Sequence, residues 1–383
     1  MNFTIKSCDF MRITYFSGSS GGLGLALTKF QYVEYTLVAW PPFLFSTLHV
    51  YFHSSSSSHF KKELSKMASF SLPSPVLIDG LSYIPSPSAK AFEEEFAGTL
   101  PPGKDIQSSR GIIHYYDFNP EASPTAKRVL LIHGIGTCAI GMAPLAHRLT
   151  VSGSHVVIYD LWGHGNSSTP LEIHTAALMH EQLFELLSHL RWSSAHIIGF
   201  SLGGSILATF TALHPHIAES ATIIAGAGLW RKNGSGWWNK LRSDGEWILD
   251  DSSEHTIIDE LEGNDPSKEG WKERLKNGKV ESEPIERWER ENHAGHKASV
   301  VSIFRYGNVF DQHESYRKLV NSHLKILVIV GENDSSFPPE FVKREVGALG
   351  WKKGVKQVDG AGHSIVRTHP EEVADFIEEF WEE

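Results

Sequence analysis

The feature that most constrains the fold of this chain is an alternation of short apolar runs with longer segments of helical periodicity, which begins near residue 110. The predicted strands are 111–118, 128–133, 155–160, 195–200, 222–227, 325–330 and 355–358, and the predicted helices are 142–150, 171–190, 202–213 and 370–381. Runs that are apolar throughout are typical of strands covered on both faces. The alternation therefore predicts an α/β fold with a mostly parallel sheet between helices.

One connection in this pattern is much longer than the others. About 95 residues separate the predicted strands at 222–227 and 325–330, whereas connections in compact domains usually have about four to six. The segment mixes charged and apolar residues in a way typical of short amphipathic helices. We therefore predict a helical cap at 229–322, inserted into a core formed by 67–228 and 323–383.

Residues 1–66 differ from the rest of the chain. They include an unbroken run of serines, 54–58, and few charged residues before Lys61. Their apolar stretch, 36–52, is interrupted by two prolines and is shorter than the roughly 20 residues that a spanning helix needs. We predict a poorly ordered extension rather than a membrane anchor, so membrane association is not expected. Translation from Met67 is the alternative interpretation.

A glycine-rich loop in this extension offers a different function. The segment 11–16 predicts a strand, and the loop from Gly18 to Gly24 that follows is similar to the nucleotide loop of short-chain dehydrogenases. Such a loop binds a pyrophosphate only as part of a larger βαβ sheet, and Pro41 and Pro42 interrupt the chain before a second unit can form. We therefore interpret the segment as a chance glycine- and serine-rich loop.

The charge balance argues against a nucleic-acid ligand. The chain has 383 residues, with 35 lysines and arginines against 45 acidic residues, a formal charge of −10. This balance favours neither nucleic acid nor an anionic membrane surface as a partner. The two cysteines, Cys8 and Cys138, exclude a disulfide framework and predict a reducing compartment, the cytoplasm.

The strongest chemical signal is the segment Gly199-Phe200-Ser201-Leu202-Gly203. It lies between a predicted apolar strand and a predicted helix rich in small residues. In that context two glycines permit a sharp turn that exposes a serine hydroxyl. The N-terminus of the helix also places backbone N–H groups near negative charge that develops at the serine. The pattern predicts Ser201 as a nucleophile.

A serine is a weak nucleophile unless a base takes its proton. Among 21 histidines, His363 lies in a glycine-rich turn after the last short predicted strand, where the imidazole can be held over the carboxyl edge of the sheet. We predict His363 as this base. His133, His164, His214 and His216 adjoin turns or a proline and are interpreted as structural.

The acid that orients this base is expected between the serine and the histidine in the chain. Asp334 follows the predicted strand at 325–330 and is our choice. Glu332 and Asp359 are alternatives. Glu332 follows the strand so closely that we expect its carboxylate to point less well at His363.

Acyl transfer also requires two backbone N–H groups that converge on the developing oxyanion. Leu202, the residue after the serine, is expected to supply one of them. Ile135, in the glycine-rich turn after the strand at 128–133, is expected to supply the other. Chemistry of this kind needs no metal ion and no organic cofactor, so we predict neither.

With these residues assigned, the chain from about residue 110 to 383 resembles the α/β-hydrolase superfamily, in its branch with a helical cap. Five motifs match in order: His133-Gly134, Asp160 to Ser167, Gly199 to Gly204, Gly331 to Asp334 and Gly360 to Ser364. The resemblance implies this fold and a triad of serine, histidine and aspartate. Ser201 argues against epoxide hydrolases and haloalkane dehalogenases, which share the fold but use an aspartate nucleophile.

The superfamily includes carboxylesterases, lipases, thioesterases, lactonases, C–C bond hydrolases and proline-type aminopeptidases. The resemblance therefore implies a serine hydrolase that cleaves a carboxylic ester or related acyl bond through a covalent acyl-enzyme. The alternatives are a C–C bond hydrolase of a diketone-type substrate, a proline-type aminopeptidase and a ligand receptor without catalysis. A membrane-anchored lipase is a further alternative if 36–52 inserts into a bilayer.

The partner that this chemistry implies is a small-molecule acyl substrate. Six of the 11 tryptophans lie in the predicted cap and suggest that the substrate is apolar, although packing within the cap explains most of them better. These six are Trp230, Trp237, Trp238, Trp247, Trp271 and Trp288.

Overall fold

The computed structural model describes residues 82–243, 246–262 and 269–383, together with three strands nearer the N-terminus. The chain divides into two units, 1–76 and 77–383. All the residues predicted to take part in chemistry belong to the second unit.

The first unit contains three short strands that pair antiparallel. They are β1 (Asn2–Lys6), β2 (Phe10–Ser17) and β3 (Leu23–Leu27). A nucleotide-binding loop requires a helix after its glycines, whereas β2 is followed by an antiparallel strand, which supports the interpretation of a chance motif. Residues 18–22, the stretch 36–52 and Met67 lie outside the described residues. The poorly ordered extension and the alternative start therefore stay predictions.

The second unit is built on one eight-stranded sheet. In chain order, its strands are β5 (Gly103–Ser108), β6 (Gly111–Phe118), β7 (Arg128–Ile132), β8 (His155–Tyr159), β10 (Ala195–Phe200), β11 (Ala218–Ile224), β14 (Lys325–Gly331) and β15 (Lys356–Val358). Two separate pairs are β4 (Tyr83–Ile84) with β9 (Thr169–Pro170), and β12 (Arg242–Ser243) with β13 (Glu246–Trp247).

The order of strands across the large sheet is β15-β14-β11-β10-β7-β8-β6-β5. β5 pairs antiparallel with β6, and β6 pairs antiparallel with β8, whereas all the remaining pairs in this sheet are parallel. The mostly parallel sheet predicted from the sequence is confirmed.

The helices of the second unit connect these strands. They are α1 (Ala89–Glu95), α2 (Ala143–Val151), α3 (Ala176–Leu190), α4 (Leu202–Leu213), α5 (Asp251–Glu262), α6 (Trp271–Lys276), α7 (Ser282–Asn292), α8 (His296–Tyr306), α9 (His313–Val320), α10 (Pro339–Ala348), α11 (Ile365–Thr368) and α12 (Pro370–Glu382). Helices α5 to α9 lie between β11 and β14, in the segment predicted as an insertion.

Helices cover both faces of the sheet, which confirms the predicted fold class. Helix α2 packs against β8 and α12, whereas α4 packs against β10, β11, α3 and α9. Strand β7 lies between the two helix groups, and its residues from Val129 to Ile132 have no exposed surface. The continuous apolar run in the sequence reflects this burial on both faces.

Two predicted elements have different bounds in the structure. The helix predicted at 171–190 begins only at Ala176, because the Thr175 side chain accepts a hydrogen bond from the Leu178 N–H and caps the helix there. The strand predicted at 222–227 ends at Ile224, because the chain turns at Ala225, whose φ is 45°. This turn lies directly beneath Ser201.

Two observations bear on the predicted environment of the protein. Among the described helices, none combines the length and the apolar composition needed to cross a bilayer. Cys138 is a buried free thiol. The cytoplasmic location stays a prediction.

Candidate active site

Ser201 lies at a strained turn between β10 and α4. Its φ of 53° and ψ of −116° belong to a region that residues other than glycine rarely adopt. Hydrogen bonds to the chain after β11 hold this turn. The Ser201 N–H donates to the Ile224 carbonyl at 2.9 Å, and the Ser201 carbonyl accepts from the Ala227 N–H at 2.9 Å.

The two glycines that flank this serine are required by close backbone approach. A Cβ atom on Gly199 would lie 2.2 Å from the Gly203 carbonyl oxygen. A Cβ atom on Gly203 would lie 2.1 Å from the carbonyl oxygen of Ile132, on the neighbouring strand. Helix α4 can therefore lie against the sheet only if both positions lack a side chain, which explains the glycine spacing in the sequence.

The structure brings His363 between Ser201 and Asp334. His363 Nδ1 lies 2.9 Å from Asp334 Oδ2, and His363 Nε2 lies 3.2 Å from Ser201 Oγ. A carboxylate lies at one ring nitrogen, and a hydroxyl, which can donate as well as accept, lies at the other, so the network accommodates a neutral imidazole. Its Nδ1–H donates to Asp334, and its Nε2 lone pair accepts from the Ser201 hydroxyl. This is the geometry of a general base next to a nucleophile.

Asp334 is held in place by its own loop. Its Oδ1 accepts hydrogen bonds from the Ser336 and Phe337 N–H groups, each at 2.8 Å, and only 2% of the residue is exposed. Burial by itself raises the pKa of the Asp334 carboxyl. The hydrogen bond and charge of His363, together with the two backbone donors, outweigh burial and hold the pKa below its usual value. Asp334 is therefore ionised at neutral pH.

The two alternative acids have other positions. Glu332 Oε2 accepts a hydrogen bond from the Gly360 N–H at 2.8 Å, so this carboxylate closes the turn that carries His363. Asp359 is exposed. Among the carboxylates of the described residues, Asp334 is the one that forms a pair with His363.

The two backbone amides predicted for the oxyanion lie at the same cavity. Leu202 and Ile135 both line it with Ser201. Gly134, the residue before Ile135, packs so tightly against the nucleophile that a Cβ there would lie 3.1 Å from the Ser201 Cβ. In the described part of the chain, no group accepts a hydrogen bond from either amide. Both donors are thus available, and their role in catalysis stays a prediction.

The cavity has a volume of about 270 Å³ and an aromatic wall. Trp230 stacks on Phe337 with ring centroids 4.8 Å apart, and Trp237 stacks on Phe304 at 4.9 Å. Two of the six tryptophans of the insertion therefore line the cavity. Of the other four, Trp238, Trp271 and Trp288 are buried in packing and Trp247 packs against the core. The prediction that most of them serve packing is confirmed.

Residues 127–370, more than half of the chain, match the family model of the alpha/beta hydrolase fold. The chain belongs to this family. A relative of known sequence is lipase 3 of a Moraxella species, which is 34% identical over 28% of this chain and 34% of the lipase. The chain thus matches about a third of the length of such curated relatives.

Solved structures agree with the fold of this α/β hydrolase. It is similar to a bacterial membrane phospholipase A, with a TM-score of 0.56 and 21% identity over 85% of this chain and 98% of the other. It is also similar to an enol-lactonase from Burkholderia xenovorans, with a TM-score of 0.54 and 20% identity over 73% of this chain and 100% of the other. At these identities the likeness shows the fold alone.

Two histidines of the family motifs have structural positions in this α/β hydrolase. His133 Nδ1–H donates to the Gly134 carbonyl at 2.7 Å, and its Nε2 accepts from the Leu161 N–H at 2.9 Å. Burial lowers the pKa of His133 to about 4. His164 is fully buried, and burial lowers its pKa as well. Both rings are buried, and neither forms a hydrogen bond with Ser201, whose hydroxyl contacts His363 instead.

No motif in the sequence indicated the polar side of the cavity. Thr137, Glu286 and Arg367 line it together with Ser201 and His363. Glu286 and Arg367 lie on helices α7 and α11, and charged residues at such positions are usually exposed to solvent. Only the packing of these helices shows that both side chains are largely buried. No local pattern in the sequence would have found them.

The described residues contain no group of three or more histidine, cysteine, aspartate or glutamate side chains that could hold a metal ion.

Proposed function

We propose that this protein is a serine hydrolase that cleaves a carboxylic ester or a related acyl bond, with Ser201 as the nucleophile. The observation that carries this proposal is the continuous hydrogen-bonded series Ser201, His363 and Asp334. It opens into a cavity that two unpaired backbone amides also line.

The first half of the reaction forms an acyl-enzyme. Ser201 Oγ attacks the carbonyl carbon of the substrate while its proton moves to His363 Nε2. The Leu202 and Ile135 N–H groups stabilise the oxyanion of the tetrahedral intermediate. The ionised Asp334 stabilises the imidazolium that forms. The intermediate collapses, the bond to the leaving group breaks, and His363 gives the proton to the leaving oxygen.

The second half releases the acyl group with water. His363 takes a proton from a water molecule, the resulting hydroxide adds to the acyl carbon, and a second tetrahedral intermediate forms. Its collapse returns the proton to Ser201 Oγ and frees the carboxylic acid. The exposed fraction of the His363 side chain, 30%, gives water a route to the base.

The names of the relatives support an ester as substrate, since lipase, phospholipase and lactonase all act on ester bonds. The size of the cavity supports a small ester as the substrate. Its volume of about 270 Å³ lies just below the range of about 300–1,000 Å³ that is usual for sites of drug-sized ligands.

The proposal is tested by labelling with a fluorophosphonate and by turnover of esters with increasing acyl chain length. Ser201→Ala should abolish both labelling and turnover, because it removes the only atom that forms the covalent bond. Ser282→Ala is the matched control, since Ser282 lines the same cavity but has no base beside it. This control should keep its labelling.

Three results would contradict the proposal. Labelling that survives in Ser201→Ala would show a different nucleophile. Labelling of Ser201 without turnover of any ester, combined with turnover of diketone-type substrates, would favour a C–C bond hydrolase. Ligand binding without labelling or turnover would favour a receptor.

A further inference from the structure

Arg367 is a buried cation on the wall of the cavity that contains Ser201. Only 9% of the residue is exposed, and this part lines the cavity. Helix α11, which carries Arg367, follows directly after His363 and Ser364. Arg367 therefore lines the cavity from the same segment that carries the base.

The guanidinium has fewer partners than a buried charge requires. Nη2 donates to Ser364 Oγ at 2.7 Å, and the guanidinium carbon lies 5.7 Å from the centre of the Phe200 ring. Nη1 is buried and has no hydrogen-bond partner. Among the described residues, no carboxylate lies within ion-pair distance of Arg367. Burial lowers the pKa of Arg367, and the charges of Glu286 and Glu283 offset this only in part from farther away. A buried N–H group of a cation that has no acceptor costs free energy, and a ligand that supplies an acceptor would remove this cost.

Neither acid that lines the cavity forms a close ion pair with Arg367. Glu260 is paired with Lys240 at 2.7 Å. Glu286 lines the cavity, but no hydrogen bond or ion pair within the described residues joins it to Arg367. Burial, with the nearby charge of Glu262, raises the pKa of the Glu286 carboxyl to about 8. At neutral pH Glu286 is therefore largely a protonated acid, which can donate a hydrogen bond.

The His363 ring is close to the aromatic wall and also to a ring beside the polar groups. The His363 ring lies 5.5 Å from the Phe337 ring, which stacks on Trp230. It also lies 5.1 Å from the Phe200 ring, which contacts Arg367. A substrate with its carbonyl carbon at Ser201 can therefore extend in two directions. One direction offers apolar contact, and the other offers hydrogen-bond donors.

We propose that the substrate of Ser201 carries a carboxylate a few bonds away from its scissile carbonyl, and that Arg367 and Glu286 bind this carboxylate. One carboxylate oxygen accepts from the guanidinium and the other accepts from the Glu286 O–H group. The small cavity limits the connecting chain to a few carbon atoms. This substrate class rests on the proposed function, because it assumes that Ser201 attacks a carbonyl.

The test compares two pairs of esters, each with a charged member and a neutral isostere in which an isopropyl group replaces the carboxylate. In one pair, p-nitrophenyl esters of glutarate type, the carboxylate is on the acyl side. In the other, acetyl esters of short hydroxy acids, it is on the alcohol side. In at least one pair the wild-type protein should favour the charged member in kcat/KM by roughly tenfold or more, mainly through KM.

Substitutions at the two residues separate recognition from general structure. Arg367→Gln should lower the charged-to-neutral ratio by about 10- to 100-fold, and Arg367→Lys should retain part of the preference. Glu286→Gln keeps an N–H donor and should keep the ratio, whereas Glu286→Ala should lower it a few-fold. The matched control is Arg344→Gln, which removes an exposed arginine outside the cavity and should leave the ratio unchanged.

A ratio that stays the same in Arg367→Gln, or a wild-type preference for the neutral ester in both pairs, would overturn the carboxylate assignment. If Arg367→Gln does not fold, a ligand-protection experiment on the wild-type protein tests the carboxylate assignment instead. Glutarate, but not uncharged glutaramide, should slow the labelling of wild-type Ser201 by a fluorophosphonate, and equal rates would overturn the assignment. If Ser201 is labelled but the protein shows no preference for the charged esters, only the proposal of a carboxylate on the substrate is refuted. An unlabelled Ser201 refutes the proposed function as well.

Discussion

His363 with Asp334 and His296 with Glu262 are two histidine–carboxylate pairs of similar length in the same unit. The first pair is 2.9 Å long and the second 2.7 Å. The side chain of His363 is 30% exposed, whereas the side chains of His296 and Glu262 have no exposed surface. The first pair lies at the cavity and the second lies between the insertion and the loop after β8.

The second nitrogen of each ring decides what the ring can do. His363 Nε2 faces a hydroxyl that donates to it, so the lone pair on this nitrogen is free to take a proton. His296 Nδ1 lies 3.0 Å from the Gly163 carbonyl, which can only accept, so both nitrogens of His296 carry protons. Burial alone lowers the pKa of His296, but Glu289 and Glu262 outweigh it and raise the pKa to about 9. His296 is thus a cation at neutral pH.

A possible nucleophile lies near the buried pair as well. The charge of Glu289 acts on the thiol of Cys138, which has no exposed surface, and burial raises the pKa of this thiol well above its usual value. A thiol that stays protonated and cannot meet a substrate has no chemistry to perform. A histidine beside a carboxylate is therefore no sign of catalysis. Access to a cavity and a free lone pair make the difference.

The largest expected effects come from replacing the histidine of each pair by glutamine. His363→Gln should lower kcat by roughly 10⁶-fold, as losses of the base do in other triads, while the free energy of unfolding changes little because the ring is partly exposed. His296→Gln should leave kcat per folded molecule within a few-fold of wild type. It should reduce stability by about 3 kcal/mol, because Glu262 loses a buried partner. Turnover and urea denaturation of both variants measure these effects.

The stability effect of His296→Gln should depend on pH. The folded pKa of His296, about 9, lies above its usual value, so its stabilising contribution is complete below about pH 6.5 and is lost as the pH rises through 9. The difference from wild type should therefore shrink in alkali. If His296→Gln were inactive and stable while His363→Gln were active and unstable, the two assignments would be reversed.

The acid of the first pair should show the next largest effect. Asp334→Asn should lower kcat by roughly 10⁴-fold, because the amide can donate to His363 Nδ1 and favours the wrong tautomer. Glu332→Gln is the matched control. It lies on the same loop but contacts Gly360, and it should cost less than about tenfold. A crippled Glu332→Gln beside an active Asp334→Asn would show that the acid has been misplaced, even if the serine-hydrolase proposal survived.

A smaller effect is expected at Glu286, which lines the cavity while its pKa responds to the charge of Glu262 in the second pair. The folded pKa of Glu286, about 8, lies above the value for an unfolded chain. The folded state therefore binds more protons between about pH 4.5 and pH 8, and its stability falls as the pH rises through this window. Glu286→Gln removes the ionisation.

The Glu286→Gln variant should match the wild type in stability at pH 4.5 and exceed it by up to about 5 kcal/mol above pH 8. Urea midpoints measured across this range test the shift. Two parallel stability curves would show that Glu286 ionises normally and that its hydrogen-bond donor is absent at neutral pH.

The smallest effect is expected from removal of residues 1–66. Neither histidine–carboxylate pair includes a residue of the first unit, and both lie in the unit 77–383. A chain that starts at Met67 should therefore keep its turnover and its unfolding midpoint. Loss of either on truncation would show that the first residues belong to the functional unit.

The candidate triad could be predicted because each member has a local signature. Ser201 needs glycines at two fixed positions, since backbone from α4 and from β7 occupies the space of their side chains. His363 follows a flexible glycine turn. Asp334 follows a buried strand. The bounds of α3 and β11 were less accurate, because a threonine cap and the turn at Ala225 end these elements rather than the apolar pattern.

The sequence by itself determined the parallel sheet, the position of the nucleophile and the order of its partners, because apolar runs and close-packed glycines are properties of neighbouring residues. Only the tertiary structure decided which charges are buried and what they face. Arg367 Nη1 is buried without an acceptor, and His296 has two acceptors, because segments distant in sequence pack around them. Desolvation and pairing depend on these long-range contacts. The same side chains on an exposed helix would be ordinary surface charges.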